Sequence, residues 1–157
     1  MPEAKPLLSV ENLKTCFELD EGTVKAVDGV SFVVHPSKVL GIVGESGCGK
    51  TTTARCILGA ITPTDGEIWF QTSDQKLVDV TSLSKNEMRP LRREMQMIFQ
   101  DPFASLNPRM NLFDLVGEPM LVNGLTNRKE RTEQVAELLR LVGLRPEYMR
   151  RFPHAFS

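Results

Sequence analysis

Eight consecutive residues, Gly44-Glu45-Ser46-Gly47-Cys48-Gly49-Lys50-Thr51, fit G-x-x-x-x-G-K-[ST], a spacing suited to holding a chain of phosphates. Main-chain N–H groups can wrap a polyanion only where the backbone turns sharply and comes close, which favours Gly44, Gly47 and Gly49 because they lack a Cβ. A helix starting near Lys50 turns its unpaired N–H groups and the positive end of its dipole toward the same anion. Lys50 adds a mobile full charge for the β and γ phosphates, and the Thr51 hydroxyl is a natural ligand for Mg²⁺. Glu45, Ser46, Cys48 and Thr52 complete the expected loop. The ligand class is therefore a nucleoside triphosphate with its magnesium ion.

The neighbouring sequence supplies the strand and the helix that the motif needs. Val39-Leu40-Gly41-Ile42-Val43 shows no alternation, the pattern of a parallel strand covered on both faces, and it leads straight into the loop. Residues 51–58 read as a short helix closed by Gly59. Upstream, Leu13, Thr15, Phe17 and Leu19 alternate, and Val30, Phe32 and Val34 alternate after an Asp28-Gly29 turn signal, so two antiparallel strands are expected. Downstream, a Pro63-Thr64-Asp65-Gly66 turn precedes the strand-like Glu67-Ile68-Trp69-Phe70, and residues 77–80 form a second short strand candidate.

Ser84 and Glu87 have capping-box spacing, with Pro90 predicting a short or kinked helix. Residues 95–99 read as the next strand, and residues 101–108 as a long connection. An apolar helical pattern resumes over 112–122 despite Pro119. The clearest helix carries Val135, Leu138, Leu139 and Val142 at i, i+3, i+4 and i+7, starts at Asn127…Glu130 and stops at Gly143.

At 157 residues and 41% hydrophobic content the chain can fill one medium domain. Nineteen Lys+Arg against 20 Asp+Glu give a net charge of −1, so no global basic field binds nucleic acid, and the clusters Arg89, Arg92, Arg93 and Arg145, Arg150, Arg151 read as solvated helix faces. No secretory signal or membrane-spanning apolar run is present, so the polypeptide is expected to be soluble and any membrane role to come through a partner. Cys16, Cys48 and Cys56 leave one thiol unpaired under any disulfide scheme and lack metal-ligand spacing, which suits a reducing cytoplasm. Cys48 reads as a small side chain tolerated in the loop, and His35 and His154 as structural.

The order of these pieces, two antiparallel strands, the phosphate loop, Met97-Ile98-Phe99-Gln100-Asp101-Pro102 and a helical segment, resembles the nucleotide-binding subunits of ABC transporters. Within that family the stretch Phe99-Gln100-Asp101-Pro102-Phe103-Ala104-Ser105-Leu106-Asn107-Pro108-Arg109-Met110 is similar to the oligopeptide/dipeptide importer ATPases. So are Val24-Lys25-Ala26-Val27-Asp28-Gly29-Val30-Ser31-Phe32 and Arg151-Phe152-Pro153-His154. The resemblance implies an α/β P-loop NTPase fold of the ABC ATPase type. Its expected parts are an antiparallel β part over 1–36, a P-loop core with an incomplete parallel sheet over 37–100, and a Q-loop with the start of a helical subdomain over 101–157.

It also implies roles. Phe17 matches the aromatic that stacks on adenine, and Gln100 the glutamine that contacts Mg²⁺ and the attacking water. Lys50 and Gln100 would then be the catalytic groups, Thr51 and Gln100 the metal ligands, and Phe103 to Met110 part of the surface that receives a membrane subunit. ATP and Mg²⁺, membrane-spanning permease subunits and a second ATP-binding subunit are the implied ligands and partners, with no nucleic acid. The implied location is the cytoplasmic side of the cell membrane.

Two departures from the family pattern are small: Thr51 stands where many relatives have Ser, and His35-Pro36-Ser37-Lys38 replaces an acidic turn. A larger one is that Pro153-His154-Ala155-Phe156-Ser157 matches the lead into a Ser-Gly-Gly-Gln signature only to its first Ser. Without that signature, a Walker B aspartate, a catalytic glutamate and a switch histidine, the expectation is nucleotide binding without turnover, and marginal stability for a parallel sheet short of neighbours. A soluble ABC-type ATPase of DNA repair or translation, and a non-catalytic remnant, are the alternative functions. A nickel chelate is an alternative cargo.

Overall fold

A computed structural model describes residues 5–101 and 105–156, so residues 102–104 of the importer-like stretch, and Ser157, lie outside the described residues. The chain divides into two compact units, one ending at Met97 and the other beginning at Ile98.

The first unit is built on a four-stranded antiparallel sheet in the order β2-β1-β3-β4, made of β1 (Leu8–Leu19), β2 (Gly22–Val34), β3 (Asp65–Gln71) and β4 (Leu77–Asp79). Its inner face carries Val10, Leu13, Ile68 and Phe70, all buried, and these pack with Val27, Cys56, Val80, Met88 and Leu91 into one core. Burying each large aliphatic side chain contributes about 1.5–3 kcal/mol, so this cluster is what holds the sheet to the segments above it. The Thr15 hydroxyl and the Cys56 thiol lie 3.3 Å apart in the interior and tie β1 to the helix α1 (Lys50–Ile57).

The turn between β1 and β2 falls at Asp20 and Glu21, correcting the expectation of a turn at Asp28-Gly29. Gly29 instead lies within β2 at φ +76°, the extra residue of a bulge between the Leu13–Val30 and Lys14–Asp28 pairs. A glycine at positive φ serves a bulge as readily as a turn, and the long-range ladder with β1 decided between them. Gly66 likewise belongs to β3 and not to the preceding turn. At φ +94° it faces two residues of β1, and a Cβ there would come 2.5 Å from the Asn12 carbonyl oxygen.

The larger corrections are residues 39–43 and 95–99, expected as parallel strands but forming no strand here. Val39 is 99% exposed and Ile98 94%. A strand of this kind exists only through ladder bonds to segments remote in sequence, and among the described residues none pairs with either stretch. Local expectations fared better. The helix α2 (Lys85–Leu91) opens on a complete capping box, the Ser84 side chain accepting from the Glu87 N–H and the Glu87 carboxylate accepting from the Ser84 N–H, and contains Pro90.

The second unit packs α3 (Leu112–Val122) and α4 (Arg128–Leu141) with a 3₁₀ turn at Pro146–Arg150. Asn111 caps α3 by accepting from the Asp114 N–H, and Asn127 caps α4 by accepting from Lys129 and Glu130. Of the predicted stripe on α4, Val135 and Leu139 are buried, whereas Leu138 is 43% and Val142 71% exposed. Ala136 is buried instead, rotating the packed face away from Leu138.

The turn joining β3 to β4 holds a charge pair with a measurable signature. Lys76 first, then the Thr72 hydroxyl, hydrogen-bond the Asp74 carboxylate and hold its pKa at about 2, below its ordinary 3.8. Because the folded value is depressed, the stabilisation is present above pH 3.8 and is lost as pH falls through about 2. Asp74→Asn should therefore flatten the stability-versus-pH curve between those values in acid denaturation monitored by circular dichroism. An unchanged acid slope would contradict this pairing.

Candidate functional site

The phosphate-loop residues meet through Lys50. Its ammonium donates to the carbonyls of Gly44 at 2.8 Å and Glu45 at 2.6 Å, and lies 3.4 Å from the Cys48 sulfur, so the side chain curls back over the loop that precedes it. The Cys48 N–H donates to the Glu45 carbonyl at 3.4 Å, closing the turn that contains Ser46 and Gly47. At Gly44 a Cβ would come 2.5 Å from the Cys48 sulfur. The loop is thus a ring gathered around one ammonium group.

Helix α1 starts at the end of that ring. Gly49 is its N-cap at φ +90°, and no side chain caps the first turn. The Gly49 carbonyl is used twice, accepting from the Thr53 N–H at 2.8 Å and the Thr53 hydroxyl at 3.0 Å. Lys50, Thr51 and Thr52 form the uncapped first turn, with Thr51 exposed and Thr52 half-buried. Uncapped N–H groups beside an ammonium group make an anion site by elementary electrostatics.

A neighbour that sequence reasoning missed fixes where this helix begins. Between the pairs Thr15–Val27 and Cys16–Lys25 the register of β2 slips by one residue, leaving Ala26 as a bulge. A Cβ on Gly49 would collide with the Ala26 carbonyl oxygen. No local pattern marks Ala26, because the bulge is defined only by the opposite strand. Phe17 lies two positions beyond Thr15 on β1, paired with Val24, and is 38% exposed, so it is not a core residue. Gln100 is exposed near the start of the second unit.

The thiols divide by environment. Burial pushes the Cys56 thiol up, with the Thr15 hydrogen bond opposing, so Cys56 stays protonated and inert at neutral pH. Cys48 is exposed at the loop surface. Among the described residues no group of three or more His, Cys, Asp or Glu side chains is arranged to hold a metal ion.

The Gly49–Ala26 contact is open to a stability test. Gly47 and Gly49 both have positive φ, but a Cβ at Gly47 meets nothing within 4 Å. Gly47→Ala should cost about 1–2 kcal/mol for the left-handed backbone alone, and Gly49→Ala clearly more, by urea denaturation. Equal losses would mean that Ala26 does not constrain the loop.

The family model described as ABC transporter matches residues 27–157, a span that contains the loop, α1 and both helices of the second unit. Two peptide-transport proteins are similar over nearly all of the chain. The oligopeptide transport ATP-binding protein OppF of Bacillus subtilis is 45% identical over 152 residues, 96% of this chain and 48% of OppF. The di/tripeptide transport ATP-binding protein DppF of Pseudomonas aeruginosa is 42% identical over 157 residues, 96% of this chain and 47% of DppF. The chain therefore spans about half the length of these curated relatives.

Among solved structures, the dimeric ATP-binding cassette MJ0796 bound to ADP and Pi superposes with a TM-score of 0.77 at 22% identity, covering 96% of this chain and 63% of that one. The cbiO1 protein of Clostridium perfringens, part of the ABC transporter complex cbiONQ, gives 0.71 at 26% identity, covering 97% and 56%. A phosphate loop closed on Lys50, set on an antiparallel sheet and matched along most of its length by the family model, makes this chain a member of the ABC transporter family.

Proposed function

We propose that this chain is the ATP-binding portion of a subunit that couples ATP binding and hydrolysis to the import of oligopeptides or dipeptides. The observation that carries the reading is the ring of Gly44, Glu45 and Cys48 around the Lys50 ammonium, at the uncapped head of α1. The similarity to OppF and DppF supplies the cargo class, and it favours a transporter over an ATPase of DNA repair or translation.

The loop suits a triphosphate on its own chemistry. The loop carbonyls that hold the Lys50 ammonium are neutral, and a phosphate oxygen is a stronger, charge-assisted partner for the same group. Gly44, Glu45, Ser46, Gly47, Cys48, Gly49, Thr51 and Thr52 would surround the phosphates. The exposed Thr51 hydroxyl would be a ligand of Mg²⁺, which neutralises charge on the β and γ oxygens when bound. Phe17, open on β1, would stack on the adenine.

No helix among the described residues is long and apolar enough to cross a membrane. Membrane association on the cytoplasmic side would come through permease subunits, received in part by the stretch from Phe103 to Met110, with a second ATP-binding subunit completing the assembly.

Lys50→Ala should lower ATP affinity by about 100-fold, the equivalent of one strong charge-assisted contact of about 3 kcal/mol, in titration calorimetry. In cells, the same substitution in the full-length subunit should stop uptake of a radiolabelled tripeptide. Unaltered affinity would overturn the loop assignment, and unaltered uptake the peptide assignment. Phe17→Ala should weaken ATP by about 1–3 kcal/mol and leave inorganic triphosphate unaffected. Equal losses for both ligands would refute adenine stacking.

A further inference from the structure

The outer face of the sheet carries a second, unrelated constellation. Strand alternation sends Val10, Ile68 and Phe70 inward, so Ser9 and Glu11 of β1, Trp69 and Gln71 of β3 and Leu77 of β4 share the opposite face. Such a face is ordinarily polar and solvated, and a half-buried tryptophan on it needs a reason. Together with Lys5 and Gln75 these side chains line a groove of about 310 Å³, within the size range of small-molecule sites.

The groove is preorganised. The Trp69 indole N–H donates to the Glu67 carboxylate at 2.8 Å, which fixes the ring, and the Ser9 hydroxyl donates to one Glu11 oxygen at 3.1 Å. Gln75 holds a positive φ of 61°, unusual for a residue with a side chain, in a turn closed by the Thr72 N–H on the Lys76 carbonyl and the Gln75 N–H on the Thr72 carbonyl. Strain of this kind persists where surrounding bonds enforce it, and here it sets an amide on the rim of the groove.

The lining is specific in its chemistry. One ammonium from Lys5 and one carboxylate from Glu11 form no ion pair among the described residues; Gln71 and Gln75 add two amides, and Trp69 and Leu77 add apolar surface. One cation, one anion, two amides and an aromatic surface complement a zwitterion that has an amide bond and an apolar side chain. We propose that this groove binds a short zwitterionic peptide, with its amino group at Glu11, its carboxylate at Lys5, its amide at Gln71 or Gln75 and its side chain against Trp69. Nothing in the phosphate loop is used, so the groove is a separate site. If the chain serves a peptide importer, the bound molecule belongs to the chemical class of the cargo.

Trp69 is the only tryptophan of the chain, so its fluorescence reads this groove directly. The dipeptide Leu-Leu should change the emission saturably, and blocking both termini, as in N-acetyl-Leu-Leu-amide, should weaken the response by about tenfold or more, because two charge-assisted contacts are lost. Glu11→Gln and Lys5→Met should each weaken Leu-Leu binding, whereas Lys50→Ala should weaken ATP binding by about 100-fold and leave the Trp69 response to Leu-Leu intact. Circular dichroism of each variant checks that the sheet persists. The absence of a saturable response to Leu-Leu would overturn the proposal. A response insensitive to the blocked termini or to Glu11→Gln would do so too, because it would report only apolar contact with the indole.

Discussion

The carbonyl oxygen of Ala26 sits where a side chain on Gly49 would have to go, and the rest of the site follows from that close approach. Because β2 bulges at Ala26, the strand's backbone presses against the start of α1, and only a residue without a Cβ can occupy the junction. The helix then begins at Lys50 with an uncapped first turn, and the Lys50 side chain folds back onto the loop carbonyls. The position of the loop and the head of α1 is therefore set by an irregularity in an antiparallel sheet and by a core contact further along, where Thr15 meets Cys56.

That arrangement separates rigidity from function within the first unit. The apolar core lies on the inner face of the sheet, against Cys56, Met88 and Leu91, while the loop from Gly44 to Gly49 is held by backbone turns and one ammonium group. A loop with few apolar contacts can exchange neutral carbonyl partners for phosphate oxygens without disturbing the core. The same sheet has a solvent face whose tryptophan, amides and opposite charges form a groove, so the two sides of one antiparallel layer serve packing and recognition respectively.

Much of this was legible in the order of residues. Ser84 with Glu87, Asn127 with Glu130, and the stops at Gly59 and Gly143 rest on hydrogen bonds or backbone angles spanning three or four residues, and the helices form with their ends close to where those signals fall. The start of α1 was equally readable, since the glycine-rich motif places a helix near Lys50 and the helix begins there. Residues 39–43 and 95–99 misled because an apolar run records burial and says nothing of the ladder partners that make a strand. Leu138 and Val142 fitted a helical stripe, yet the neighbours in the second unit cover only Val135, Ala136 and Leu139.

By itself the sequence determined the family, the start of α1 at the glycine-rich loop, the helix caps and the alternation along β1, because each depends on side chains and angles a few residues apart. Only the tertiary structure decided that Gly29 is a bulge and not a turn, that Ala26 abuts Gly49, and that Lys5, Glu11, Trp69 and Gln75 share one groove. Those facts depend on which strand lies beside which and in what register, and register is settled by burial summed over the whole sheet, a quantity no short window of sequence contains.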